Sequence, residues 1–157
     1  LYMTLINIIV SCDEEYGIGK DNKIPWTNKE DLKHFYNSTK ESCVIMGRKT
    51  WESLPMKPLK QRENIVLSNT LISDSCKVFG DIELLLNYIK KYDKVWVIGG
   101  SYIYNLFMRQ SVNYIYITIQ NGVYNCDTFF PNVLNDYQEI ESRQLNESST
   151  LYIYKSK

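Results

Sequence analysis

Apolar runs alternate along this chain with segments of helical periodicity, and that alternation constrains the fold more than any single residue. Leu5 to Val10, Cys43-Val44-Ile45-Met46, Asn64 to Ser68 and Lys94 to Ile98 are short and continuously apolar, as strands buried on both faces are. Lys77-Val78-Phe79 reads as a further short strand. Helical stretches separate them: one beginning just after Thr27, a short one following Gly47-Arg48-Lys49-Thr50 and running to about Leu54, Asp81 to Tyr92, and Ser101 to about Gln110. In the third, Leu84, Leu85, Tyr88 and Ile89 fall on one side. Asn113 to Ile119 is an alternating, aromatic strand, and Gln138 to Gln144 with Thr150 to Tyr154 reads as a hairpin turning at Asn146-Glu147-Ser148. The order predicts an α/β fold: a mostly parallel sheet with an antiparallel C-terminal strand. At 157 residues it fits one domain, residues 1–157, around one sizeable core.

Composition removes several classes of function. Hydrophobic residues make up 44% and charged residues 23%, and 18 basic residues balance 18 acidic ones. With no basic block, nothing points to a nucleic-acid surface. No apolar run is long enough to span a bilayer and no secretory signal opens the chain, so a cytoplasmic protein is expected. Cys12, Cys43, Cys76 and Cys126 are scattered without a C-x-x-C pair, which reads as reduced thiols and not as a disulfide frame or zinc site. The one histidine, His34, leaves no histidine cluster for a metal and reads as a helix-surface residue. The chain opens on Leu1, which leaves two readings open: a segment cut from a longer protein, and a natural start at Met3.

Within this frame Asp31 is the awkward residue. Thr27 followed by Glu30 is a capping-box signature, so a helix is expected to begin after Thr27 with Leu32, Phe35 and Tyr36 as its apolar stripe. Asp31 and Phe35, four apart, share a face. A carboxylate at the edge of an apolar stripe costs free energy unless a protein cation or a ligand meets it. It could equally serve only the helix dipole.

Two places show a strand, a glycine and a helix start: Met46-Gly47-Arg48-Lys49-Thr50 and Ile98-Gly99-Gly100-Ser101. Glycine allows close approach of a ligand to the backbone, and a helix N-terminus offers free N–H donors to an anion. Together the two turns could hold a diphosphate and a further phosphate; singly, each is also an ordinary βα turn. Neither matches the dinucleotide or P-loop fingerprints. Trp26 is compatible with plain core packing and Arg62 with a solvated cation. Most of the 13 tyrosines fall on strands and read as sheet packing.

Taken together these segments resemble dihydrofolate reductase, nearly end to end from Leu5 to Tyr154. The resemblance rests on Gly17-Ile18-Gly19, Ile24-Pro25-Trp26, Asp31-Leu32 with Phe35, Val44 through Leu54, Asn64 through Ser68, Val97-Ile98-Gly99-Gly100 with Tyr104, and Asp127-Thr128-Phe129-Phe130-Pro131. It implies a three-layer fold with a central eight-stranded sheet, helices on both faces, and NADPH-dependent reduction of 7,8-dihydrofolate to tetrahydrofolate.

By the same resemblance, Asp31, Trp26, Thr118 and Tyr104 belong to the catalytic centre, with Asp31 hydrogen-bonding the pterin at N3 and its 2-amino group. Ile9, Val10, Leu32, Phe35, Leu54, Leu59 and Ile98 line the pterin and p-aminobenzoyl rings, and Arg62 grips the glutamate α-carboxylate. Arg48, Lys49, Thr50, Leu67, Ser68 and Asn69 fall near the adenosine 2′-phosphate. Gly47, Gly99, Gly100, Ser101, Tyr102 and Ile103 fall at the phosphate-binding turns, with the Gly99–Gly100 peptide cis; Ser11, Ile18, Gly19, Tyr104 and Thr128 fall by the remainder of the cofactor. No metal is implied.

Two departures stand out. Leu59-Lys60-Gln61-Arg62 replaces the family's frequent Leu-Pro-Gly-Arg, and Cys126 precedes Asp127 where glycine is common.

The chemistry implied is hydride delivery to pterin C6 and protonation at N5, with Asp31 anchoring the ring and water as the immediate proton donor. Asp13 to Lys23 is the polar loop expected to close over the nicotinamide. Implied partners are dihydrofolate and antifolates of the methotrexate or trimethoprim type, with the chain acting as a monomer or as the reductase part of a fusion with thymidylate synthase. The rival readings are a riboflavin-pathway reductase and a folate-binding relative without turnover.

Overall fold

The computed structural model describes residues 3–157. Its strands are β1 (Leu5–Cys12), β2 (Gly17–Gly19), β3 (Cys43–Gly47), β4 (Glu63–Leu67), β5 (Lys77–Phe79), β6 (Lys94–Gly99), β7 (Val112–Gln120), β8 (Thr128–Phe129), β9 (Tyr137–Asn146) and β10 (Ser149–Ser156). The helices are α1 (Lys29–Thr39), α2 (Arg48–Ser53), α3 (Ile82–Tyr88) and α4 (Ser101–Met108). Eight strands form one sheet in the order β5-β4-β3-β6-β1-β7-β10-β9, and β2 pairs with β8 apart from it. Pairing is parallel from β5 to β7, then antiparallel on both sides of β10. β10 is therefore the one strand of this sheet that runs against the rest, as the sequence predicts. No helix among the described residues is long and apolar enough to cross a membrane.

Side chains alternate across a strand, and this divides the interior into two cores. Ile8, Val10 and Cys12 of β1 meet Ile45, Ile65, Val97 and Ile117, capped by Leu85 and Ile89 from the α3 region and by Ile103, Tyr104 and Phe107 of α4. On the opposite face Ile9, Val44, Met46, Val66 and Trp96 pack with Trp51 of α2 and Phe35 of α1. These are the two covered faces of a three-layer fold. In α3 Leu85 is sealed, but Leu84, expected on the inner side, is 61% exposed.

α1 departs from expectation in three ways. Its N-cap is Asn28, not Thr27: the Asn28 side chain accepts the N–H of Asp31 at 3.1 Å. The covered face is the row Asp31, His34, Phe35, Ser38, Thr39, a helical i, i+3, i+4, i+7, i+8 stripe. Leu32 and Tyr36 of the expected stripe are exposed, and His34, expected at the surface, is buried. The reason lies in the sheet: His34 stacks on Tyr116 of β7, with ring centroids 6.2 Å apart and planes 8° apart.

The polar segment after β1 is not a plain loop. Asp13 is buried and organises it: one carboxylate oxygen accepts the N–H groups of Glu15 (2.9 Å) and Gly17 (2.8 Å), the other the N–H of Tyr124 (3.0 Å) and the Cys126 thiol (3.6 Å). β2 is then stitched to β8, and Asp127 accepts the N–H of Asp21 at 3.0 Å. Cβ at Gly17 would stand 2.5 Å from Cys126 Cβ, so this close pairing requires glycine there.

Candidate active site

Ser11 of β1 and Thr118 of β7 are register partners, so both hydroxyls stand on the α1 side of the sheet. Asp31 of α1 comes down between them. Burial raises the Asp31 carboxyl above the usual carboxylate range, and the Thr118 hydroxyl, the His34 imidazole and the Ser11 hydroxyl oppose that rise in diminishing order. No Lys or Arg among the described residues pairs with Asp31. His34 is itself pushed down by burial, while Asp31 favours its charged form. The pocket thus holds two titratable groups where the sequence suggests one. Trp26 donates its indole N–H to Ser11 Oγ at 3.2 Å and leans on Tyr124 at 5.1 Å. Beside Trp26 a cleft of about 420 Å³ opens along Lys20 to Thr27.

The expected apolar lining assembles with two exceptions. Ile9, Phe35, Leu54, Leu59 and Ile98 meet in the core under α1 and α2. Val10 does not join them. Strand alternation turns its side chain into the α4 core, leaving only its backbone toward the pocket. Leu32, 62% exposed, stands at the rim instead of being covered by protein.

Toward the C-terminal end of α1, Arg62 is held by its Nε to Lys60 O (2.8 Å) and by Nη1 to Thr39 Oγ1 (3.1 Å), with its guanidinium over the rings of Phe35 and Tyr36. No carboxylate among the described residues pairs with it, and burial lowers its pKa. Gln61 takes the left-handed conformation at φ 62° and bonds Tyr36 through its side chain.

The two glycine turns lie side by side, because Met46 and Gly99 are register partners on β3 and β6. A Cβ at Gly47 would stand 2.9 Å from Ile103 Cγ1, and one at Gly100 would stand 3.5 Å from Thr50 Oγ1. Neither Gly47 nor Gly100 caps its helix with a side chain, so the first-turn N–H groups of α2 and α4 have no such partner. Arg48 and Lys49 are exposed beside the first turn, and Arg48 contacts Glu52 at 3.8 Å. The neighbouring loop is fixed by Ser68 Oγ, which accepts the N–H groups of Thr70 and Leu71, with Asn69 packed near Gly80. Leu67 packs toward the α3–α4 core and Tyr102 is exposed.

The Gly99–Gly100 peptide is cis. Tyr104 is buried, donates to Ile9 O at 3.0 Å and meets Phe130 edge-on; burial drives its phenol pKa well up. Ser101 Oγ donates to Phe129 O, and Thr128 Oγ1 donates to Gly19 O, which brings β2, β8 and Ile18 to the same margin. Uncapped glycine turns with adjacent cations fit a phosphate-bearing group.

Residues that sequence patterns did not single out are Asp13, Asn28, Gln120, Asn146 and Ser149, all buried or half-buried and hydrogen-bonded around the site. The signal for Asn28 was present: an asparagine three residues before Asp31 is a strong N-cap.

Parallel strands ending in two uncapped turns, beside an apolar cluster with a carboxylate near one end of α1 and an arginine near the other, suit a nucleotide-dependent enzyme acting on a flat, polar-edged substrate. The family model "Dihydrofolate reductase" matches residues 5–155. Dihydrofolate reductase of Ureaplasma parvum is 32% identical over 144 residues, covering 90% of each chain. That of Schistosoma mansoni is 37% identical over 146 residues, covering 82% of this chain and 78% of its own. Among solved structures, dihydrofolate reductase from Enterococcus faecalis, complexed with NADP(H) and RAB-propyl, superposes with a TM-score of 0.87 at 29% identity and covers 99% of both chains. The chain belongs to the dihydrofolate reductase family.

Proposed function

We propose that this protein reduces 7,8-dihydrofolate to 5,6,7,8-tetrahydrofolate with NADPH, and that Asp31 is the pterin anchor. The observation that carries this reading is a carboxylate on the covered face of α1, raised in pKa by burial and met, among the described residues, by hydroxyls and an imidazole and by no Lys or Arg. The 2-amino and N3 edge of a pterin supplies the hydrogen-bond donors that Asp31 lacks from protein cations. Ile9, Phe35, Leu54, Leu59 and Ile98 hold the rings by apolar contact, with Leu32 covering them at the rim. Arg62, with no carboxylate partner among the described residues, takes the α-carboxylate of the glutamate tail in the bidentate geometry a guanidinium favours.

On the cofactor side, the N–H groups at Gly47 and Gly100 with Ser101 would hold the phosphates, and Arg48, Lys49, Thr50 and Ser68 the 2′-phosphate. NADPH, when bound, supplies the hydride for pterin C6. The protein's own part is to orient, to exclude water, and to keep a proton available at the N5 edge. Trp26, hydrogen-bonded through Ser11, and Tyr104, fixed on Ile9 O, hold the walls around the reacting rings. Asp31, with its raised pKa, favours protonation of the bound pterin through water. The β2–β8 strand pair, beside the segment that Asp13 organises, is placed to close the site.

The protein is taken to act as a cytoplasmic monomer of one reductase domain, either alone or joined to thymidylate synthase, and to bind antifolates in the Asp31 groove. A spectrophotometric assay of NADPH oxidation with dihydrofolate, repeated with NADH, tests the reading. Saturable, dihydrofolate-dependent oxidation with preference for NADPH is expected; antifolate binding without oxidation would overturn it.

A further inference from the structure

A closed ring of hydrogen bonds lies behind Asp31. Asn28 Nδ2 donates to Ser149 Oγ at 2.8 Å, Ser149 Oγ donates to Asn146 Oδ1 at 2.9 Å, and Asn146 Nδ2 donates back to Asn28 Oδ1 at 2.9 Å. Two arms leave the ring on the Asn28 side: Asn28 Nδ2 also donates to Gln120 Oε1 at 3.0 Å, and Asn28 Oδ1 also accepts the N–H of Asp31 at 3.1 Å. Asn146 reaches Glu30 Oε2 at 3.2 Å and accepts from the N–H and hydroxyl of Ser148. Asn28, Gln120 and Ser149 are 7%, 5% and 1% exposed, so water cannot substitute freely. Both donor positions and both acceptor positions of the Asn28 amide are used, which leaves it a single orientation.

Helix capping alone needs only one oxygen at position 28. The amide nitrogen does something else. Gln120 lies two residues beyond Thr118 on β7, on the same face, and Thr118 is the hydroxyl that meets Asp31. The Asn28–Gln120 bond therefore runs beside the Asp31–Thr118 approach and joins the same helix to the same strand.

We propose that Asn28, held by Asn146 of the C-terminal hairpin, is a positioning residue for the reaction: it sets the height of Asp31 over Thr118, and so the seat of the pterin. The proposal rests on the reading of Asp31 as the pterin anchor. It makes the β9–β10 hairpin, which contributes no side chain to the groove lining described above, part of the substrate side of the enzyme, while the cofactor side hangs on β3 and β6.

Asn28→Ser separates the two roles, because serine keeps a capping oxygen for Asp31 but has no amide for Gln120 and Ser149. Asn146→Asp is the second variant: it keeps the acceptors for Ser148 and Ser149 and loses the donors to Asn28 and Glu30. It carries the test should the first not be recovered folded. Each is assayed for kcat, KM for dihydrofolate and KM for NADPH, beside thermal unfolding and Asp31→Asn. The expected result is kcat/KM for dihydrofolate lowered about ten-fold or more, as small misplacements of a reacting group produce, with KM for NADPH unchanged. Unchanged dihydrofolate kinetics, or an equal rise in both KM values tracking a loss of Tm, overturns the positioning role. Turnover near wild type in Asp31→Asn instead overturns the anchor reading beneath it.

Discussion

Asp13 and Asp31 are both taken out of water at the margin of one site, and the protein treats them in opposite ways. Burial would raise the pKa of Asp13, but the N–H groups of Tyr124, Gly17 and Glu15 and the Cys126 thiol hold it below the usual carboxylate range. Asp31 is raised, because burial outweighs the hydroxyls of Thr118 and Ser11 and the charge of His34. Asp13 is a completed structural group: its charge is spent on holding the segment after β1 against the segment before β8. Asp31 is left short of donors by the protein itself. What separates a scaffold carboxylate from a working one here is how much of its hydrogen-bonding capacity the chain leaves unused.

The contrast can be broken by experiment. Asp31→Asn should lower turnover at neutral pH by about 10²–10⁴-fold, the span of a lost acid–base group, with Tm unchanged or raised; steady-state kinetics beside a melting curve checks both halves. Arg62→Ala should follow, costing about 1.5–3 kcal/mol of dihydrofolate binding as a raised KM, with KM for NADPH unmoved. Asp13→Ala should behave as Asp31→Asn does not, losing about 1–3 kcal/mol of stability in urea unfolding because buried N–H groups lose their acceptor. A few-fold loss of preference for NADPH over NADH is expected from Arg48→Ala, the scale of an exposed charge contact; an unchanged ratio would reject its assignment to the 2′-phosphate.

The subtlest effect is a sign. Asp13, depressed in the fold, contributes stability above its unfolded pKa that is lost as pH falls through the folded value. Asp31, raised in the fold, contributes below its unfolded pKa and loses that contribution as pH rises through the folded value. Stability differences between wild type and each Asp→Asn variant should therefore slope oppositely with pH. Parallel slopes would collapse the comparison.

Much of this was legible in the chain. Continuous apolar runs ending in glycine define β3 and β6 and place the two turns, because buried parallel strands need little else. Asp31, Arg62, Gly47 and Gly100 are also picked out by the sequence, the first two toward opposite ends of α1 and the last two on adjoining turns. What was not legible depends on partners remote in sequence. The inner face of α1 is set by Tyr116, some eighty positions later, so a stripe read from the helix alone put Leu32 inside and His34 outside. The capping box of Thr27 and Glu30 lost to Asn28 because the latter is braced by Gln120 and Ser149, 92 and 121 residues away. β2 and β8 are three and two residues long, too short to leave a periodicity, and exist by pairing with each other. Val10, which the resemblance assigns to the lining, turns its side chain to the other face because strand alternation opposes it to Ile9.

The stacking of His34 on Tyr116 has a practical consequence. This is the chain's one histidine, three residues from Asp31 on the same helix face. Its imidazole protons should form a single, well-separated set of resonances that needs no mutagenesis to assign, shifted by the ring beneath and by the charge state of its neighbour. The enzyme thus carries a built-in spectroscopic probe within one helical turn of Asp31, able to report pocket ionisation and inhibitor occupancy in an unlabelled sample.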